Sequence, residues 1–205
     1  MDGNSPEIKR GRKYTQVVAG ARKVFLAEGF EGASVDHIAR EAGVSKATLY
    51  SYFPDKRILF FEVAKEECAR QADRALQVDR TDLPVREMLS HMAHSMMEFM
   101  TSDFAQRIFR ICVAESDRFP ELGQEFYMSG PQLMEDRLSA YFSQAVERGE
   151  LKIDDVRLAA QQFEALMKAD VFVKKVFNIL DEPEPRQVDR VIDGAIETFL
   201  ARYGV

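Results

Sequence analysis

Cysteine is scarce in the 205 residues: Cys68 and Cys112 are too few and too scattered for a disulfide framework and form no Cys-x-x-Cys pair. That usage fits a reducing cytoplasm. No apolar run approaches the ~20 residues of a membrane span, and the first six residues lack the apolar core of a signal peptide. The expectation is a soluble cytoplasmic protein with no membrane partner. Also missing are a glycine-rich phosphate loop, a serine or cysteine in a recognisable nucleophile motif, and a metal-ligand cluster. The sequence therefore reads as a non-enzyme that needs neither cofactor nor metal.

What is present is enough apolar material for a real core, 46% of residues, and a lopsided charge. The formal net charge of −6 hides a basic head, because residues 1–57 hold 10 Lys or Arg against 7 Asp or Glu. A basic end on an acidic body lets a protein meet a polyanion through one end only. The length allows a small domain fused to a larger one. The expected division is a disordered tail over 1–8, a nucleic-acid-binding head over 9–57 and a larger helical domain over 58–205.

Residues 33–59 organise the rest. Ser34 is an N-cap, Asp36 places negative charge in the first turn, and Val35, Ile38, Ala39 and Ala42 recur at helical spacing. Gly43 can take the left-handed conformation that ends this helix. Ser45 can cap another, with Val44 stapled against Leu49. Pro54 closes the second helix. Leu49 and Phe53 then point inward, leaving Ala47, Thr48, Tyr50 and Ser51 outside, flanked by Lys46 and Tyr52. Such a face suits a groove, since Thr, Tyr and Lys donate to phosphates or base edges and Ala47 allows close approach. Asp55 caps a further helix whose first turn, with Lys56, favours a phosphate. The competing reading makes Tyr50, Tyr52 and Phe53 packed aromatics; it is preferred for Phe53 alone.

The run Gly43-Val44-Ser45, Thr48-Leu49-Tyr50, Tyr52-Phe53 and Lys56, with Leu59 beyond, resembles the DNA-binding signature of the tetracycline-repressor (TetR) family of bacterial transcription regulators. The likeness covers about residues 10 to 60; beyond them it extends to length and helical layout and, weakly, to the phrases Phe119-Pro120-Glu121-Leu122 and Arg148-Gly149-Glu150-Leu151. The resemblance implies that Lys46, Ala47, Thr48, Tyr50 and Tyr52 face double-stranded DNA from the recognition helix. Ser34 and Lys56 would hold phosphates, and the capping Ser45 belongs to the same set. It also implies a small-molecule effector, a homodimer and an all-α fold: a three-helix helix-turn-helix head and a larger ligand-binding and dimerisation domain, about nine helices in all.

Taken in order, Lys9, Arg10, Arg12 and Lys13 form a basic arm that either enters a groove or is a solvated tail. The first helix carries Tyr14, Val17, Val18, Ala21, Val24 and Phe25 on one face, stops at Gly29, and has Phe30 placed to fold back. From Asp55 a helical pattern runs to about Gln77, roughly 30 Å, long enough to belong to both parts of the protein. Leu83-Pro84 opens the next helix, on which five of the nine methionines fall between Met88 and Met100. Methionine adapts its shape, so this concentration either lines a pocket or fills a core. With the effector that the resemblance implies, the candidate pocket set is Met88, Met92, Met96, Phe99, Phe109, Cys112 and Phe142, for a lipophilic compound.

His91 and His94 have metal-sharing spacing but no carboxylate or cysteine pair beside them, so exposed or hydrogen-bonded histidines are expected. Cys112 is either a redox sensor beside Arg110 or Arg118 or, as its flanking Ile111 and Val113 favour, an inert buried thiol. Gly130-Pro131 should break the helical pattern. The last two helices, near 154–180 and 184–203, have apolar faces wider than one core needs. In the resembled family such helices pair with their copies, so Phe163, Met167, Val191, Ile192, Ala195, Ile196 and Phe199 are candidates for a dimer interface. The rival to a ligand-released repressor on a palindromic operator is a helical adaptor with a structural helix-turn-helix; steep salt dependence of DNA binding separates them.

Overall fold

A computed structural model describes residues 11–76, 83–117 and 120–205. The expected tail 1–8, Lys9 and Arg10 of the arm, Gln77, Arg118 and Phe119 lie outside them. The described residues are helical throughout, apart from turns and one isolated bridge between Leu151 and Gly204. None of their helices is long and apolar enough to cross a membrane. The chain divides into two compact units between Glu66 and Glu67.

The first unit holds α1 (Arg12–Gly32), α2 (Val35–Glu41), α3 (Lys46–Tyr52) and the start of α4 (Lys56–Leu76). Its core is Val17, Val18, Ala21 and Phe25 from α1, Ile38 from α2, Leu49 from α3, and Leu59, Phe60 and Val63 from α4, all buried. The division falls well past Arg57 because these α4 side chains belong to the head: Phe60 meets Phe25 edge-on at 4.9 Å and Phe30 at 5.0 Å between ring centres. Gly29 interrupts α1 at φ 70°, and the helix resumes to Gly32. Phe30 folds back to 6.2 Å from Phe25. A contact invisible in the sequence is made at Gly20, where an added Cβ would stand 2.7 Å from the Ala42 backbone. The missing side chain lets α1 and α2 approach.

The second unit contains α5 (Val85–Thr101), α6 (Asp103–Glu115), α7 (Pro120–Ser129), α8 (Pro131–Glu147), α9 (Val156–Met167), α10 (Val171–Val176) and α11 (Pro185–Tyr203). Eleven helices are described, the short α10 among them. Two long patterns are cut: α7 starts afresh at Pro120, and α9 ends before Asp170, whose φ of 55° no helix continues through. Three of the other starts have a plain local cause. Ser102 caps α6 at 3.2 Å from the Ala105 amide, Pro131 stands at the first position of α8, and Asp155 caps α9 at 2.9 Å from the Leu158 amide.

Phe142 of α8, Phe163 of α9 and Phe199 of α11 form the aromatic centre, with ring centres 4.8 to 6.3 Å apart. Around them close Met88, Leu89 and Met92 of α5, Met167 of α9, and Val191, Ile192, Ala195 and Ile196 of α11. This corrects two expectations. All seven residues assigned to a dimer interface are already buried within one protomer, so they have little surface left to give a partner. Met88, Met92 and Phe142 likewise fill the core rather than a pocket. The wide apolar faces have a simpler use: α9 packs on α8, and α11 packs on both α5 and α9.

Candidate nucleic-acid interface

Three small residues set the ends of α2 and the start of α3. Ser34 starts α2, its Oγ accepting the His37 amide at 3.1 Å. Gly43 takes φ 64°, which lets the Val44 amide reach back to the Ala39 carbonyl at 3.0 Å and end the helix. Ser45 then starts α3, accepting the Thr48 amide at 3.1 Å. Leu49 and Phe53 hold α3 from behind at 1% and 2% exposure, and the ring of Tyr14 lies 5.2 Å from that of Phe53. A helix of seven residues is thus fixed at both ends and along its back.

What remains outward is Lys46, Ala47, Tyr50 and Ser51, all exposed. Tyr50 is 48% exposed, so its phenol is presented rather than packed. Tyr52 is half-buried, meeting Tyr14 edge-on at 6.0 Å, with the packed character of a flank. Thr48 is half-buried, its hydroxyl 2.9 Å from that of Ser45, and the Ser51 hydroxyl donates to the Thr48 carbonyl at 2.7 Å. Lys46 is ion-paired with Asp36 across the turn. In this state the face is a ready set of hydroxyls with its ammonium partly neutralised, a pairing that a phosphate can displace.

Lys56 is turned the other way. Its ammonium donates to the carbonyls of Phe30 at 2.8 Å and Ala33 at 3.1 Å and lies 4.3 Å from the centre of the Phe30 ring. Two of its three donors tie α4 to the end of α1, which makes it a positioning residue for the head. Asp55 accepts the Arg57 amide at 2.8 Å and its guanidinium at 2.7 Å. The hydrogen bonds from Arg57 hold the Asp55 carboxyl below its ordinary value despite partial burial. Arg12 and Lys13, the described part of the basic arm, are exposed.

The second unit holds an apolar cavity of about 120 Å³. Of the residues expected there, Met96, Phe99 and Phe109 line it; Cys112 is buried but is not in its wall. Sequence reasoning missed Met100, Phe126, Met134 and Phe172, and above all Glu164 and Lys168. The one signal was a glutamate set inside the apolar run Phe163-Glu164-Ala165-Leu166-Met167. Burial pushes the Cys112 and Cys68 thiols up to about 12, so neither carries a thiolate near neutrality, and Cys112 has the character of a packed thiol rather than a sensor. His91 is exposed, and Nδ1 of His94 donates to the Ser90 carbonyl at 2.8 Å.

Two family models cover this chain: residues 17–63 match the bacterial regulatory proteins of the tetR family, and residues 87–205 match the C-terminal domain of an AefR-like transcriptional repressor. The chain belongs to the TetR family. A TetR-family regulator from Mesorhizobium loti superposes with a TM-score of 0.83 at 26% identity, over 97% of this chain and 100% of that one. The flavonoid-responsive regulator FrrA is 34% identical, with a TM-score of 0.70 over 95% of this chain and 98% of its own. The transcriptional repressor AcnR of Corynebacterium diphtheriae is 33% identical over 76 residues, a stretch that spans 37% of this chain and 40% of that protein. Its TetR-family membership makes this protein a DNA-binding transcriptional regulator.

Proposed function

We propose that this TetR-family chain is a cytoplasmic, effector-released repressor that binds an imperfect palindrome as a homodimer. The observation that carries the reading is α3, a short helix capped at Ser45, anchored by Leu49 and Phe53, and presenting Lys46, Ala47, Tyr50 and Ser51 to solvent. Two such helices enter successive major grooves about 34 Å apart, with Ser34 and Ser45 near phosphates and Tyr52 at the edge. Repression is supported by the AefR-like repressor model over residues 87–205 and by the likeness to AcnR. A small lipophilic effector is supported by the apolar cavity and by the relative named as flavonoid-responsive. Effector and DNA then oppose each other by linkage: each lowers affinity for the other by the same factor.

The dimer surface must come from side chains still exposed on α9 and α11. Leu158, Gln161, Gln162 and Ala165 share one face of α9, and Gly194, Thr198 and Ala201 share one of α11. The small side chains among them, Ala165, Gly194, Thr198 and Ala201, allow two helices to approach closely. Ala201→Glu is expected to halve the molecular mass in solution while leaving helicity unchanged.

The deciding experiment is titration of the full chain against genomic duplex fragments at rising salt. A retarded fragment whose affinity falls steeply with salt supports the reading; indifference to every duplex overturns it in favour of an adaptor.

A further inference from the structure

Among the described residues, Glu164 is the one acidic side chain in the cavity wall. The carboxylate is 12% exposed, and its Oε1 is buried with no hydrogen-bond partner. Its other oxygen, Oε2, lies 3.8 Å from the ammonium of Lys168, one turn along α9 and 42% exposed. The pair is therefore graded, with the cation towards solvent and an unmet acceptor packed in the wall, which rotation of the carboxyl about its soft terminal torsion turns to a ligand. A buried acceptor without a donor is costly, and a ligand that supplies one recovers that cost. Resting on the effector reading above, we propose that Glu164 is the polar anchor of the effector site and that the effector is a ring-sized apolar molecule bearing a hydrogen-bond donor, a phenol or an amine, rather than an anionic lipophile.

Other groups around Glu164 agree with this assignment. On α8, Glu135 is ion-paired with Arg157, accepts from the Gln161 amide at 3.1 Å and does not line the cavity, so it adds negative charge without competing for the ligand. On α4, the thiol of Cys68 stays neutral. The wall contributed by α5, α6, α7 and α10 is apolar, through Met96, Phe99, Phe109, Phe126 and Phe172. Burial raises the Glu164 carboxyl to about 7, opposed by Lys168 and reinforced by Glu135. At neutral pH the group is poised: the ionised form accepts from a phenol, and an ammonium drives it to ionise, releasing its proton to solvent. An anionic head meets the inner oxygen as a like charge. About 120 Å³ matches one aromatic ring, the scale of a cavity that takes benzene.

The test is calorimetric titration of the full-length protein with 4-ethylphenol, 2-phenylethylamine, 4-ethylanisole and phenylacetate. The two donors are expected to bind about tenfold more tightly than the methyl ether and the anion. The amine at pH 6 should release a proton, read as a binding heat that depends on the buffer's ionisation enthalpy. Glu164→Leu should erase the phenol's advantage over its ether. Glu164→Gln should keep part of it while abolishing proton release, so the two variants separate an acceptor from a charge. If all four bind alike, or the variants leave the discrimination unchanged, the cavity takes effectors but Glu164 does not select them. If none binds, the effector reading of the cavity falls too.

Discussion

The Lys56 ammonium donates 2.8 Å to the Phe30 carbonyl and lies 4.3 Å from the centre of that same residue's ring. One side chain thereby fixes the turn at the end of α1 to the start of α4, and the recognition helix hangs between them in sequence. A lysine read as a phosphate ligand is here an internal strut.

That difference is measurable. Lys56→Met strips two carbonyls of their donor, and the head is expected to lose about 1–3 kcal/mol of stability in denaturant titrations. Operator affinity measured across a salt series, under conditions where the variant is folded, should keep its slope. A slope reduced by about one, with stability intact, would instead put Lys56 on a phosphate.

Tyr50 and Leu49 are neighbours with opposite exposure, 48% and 1%. Tyr50→Ala should lower DNA affinity at least tenfold, by fluorescence anisotropy, with an unchanged melting temperature. Leu49→Ala empties a buried site and should cost the head about 2–5 kcal/mol. Reversal of these two outcomes would relocate the DNA face.

Gly20 has no room for even one methyl group, because a Cβ would stand 2.7 Å from the backbone of Ala42. Gly20→Ala is expected to destabilise the head by about 1–3 kcal/mol, seen as a lower unfolding midpoint of the first unit. A neutral result would mean that α1 and α2 shift apart at little cost.

Glu164 makes stability depend on pH. Its folded value, raised by burial to about 7, exceeds the unfolded 4.5, so the folded state holds this proton more tightly. The contribution is full below pH 4.5 and fades as pH rises through about 7, a swing of up to about 3 kcal/mol. Thermal melts at pH 5 and pH 8 should show Glu164→Gln gaining on the parent at the higher pH. Parallel curves for parent and variant would mean the carboxyl is solvated.

The head was legible because its signals are local: Ser34, Gly43, Ser45 and Pro54 act within a few residues, and each cap is seen in place or consistent with the observed helix ends. The body was less so. Whether Met92 faces a core and Met96 a cavity depends on helices arriving from far along the chain, which helical spacing alone cannot specify. The faces of α9 and α11 looked surplus because periodicity counts apolar residues without saying which neighbour covers them. Nor does sequence reveal the positive φ of Asp170 that parts α9 from α10, or the bare oxygen of Glu164.

The seven residues of α3 are too few to sustain a helix alone, since nucleation costs more than two turns of hydrogen bonds return. A synthetic peptide copying 45–53 would be coil in water and a poor competitor for the operator. Sequence reading by this protein is thus an attribute of the folded head rather than of a detachable motif, and it should vanish at the temperature where Phe25 and Phe60 part.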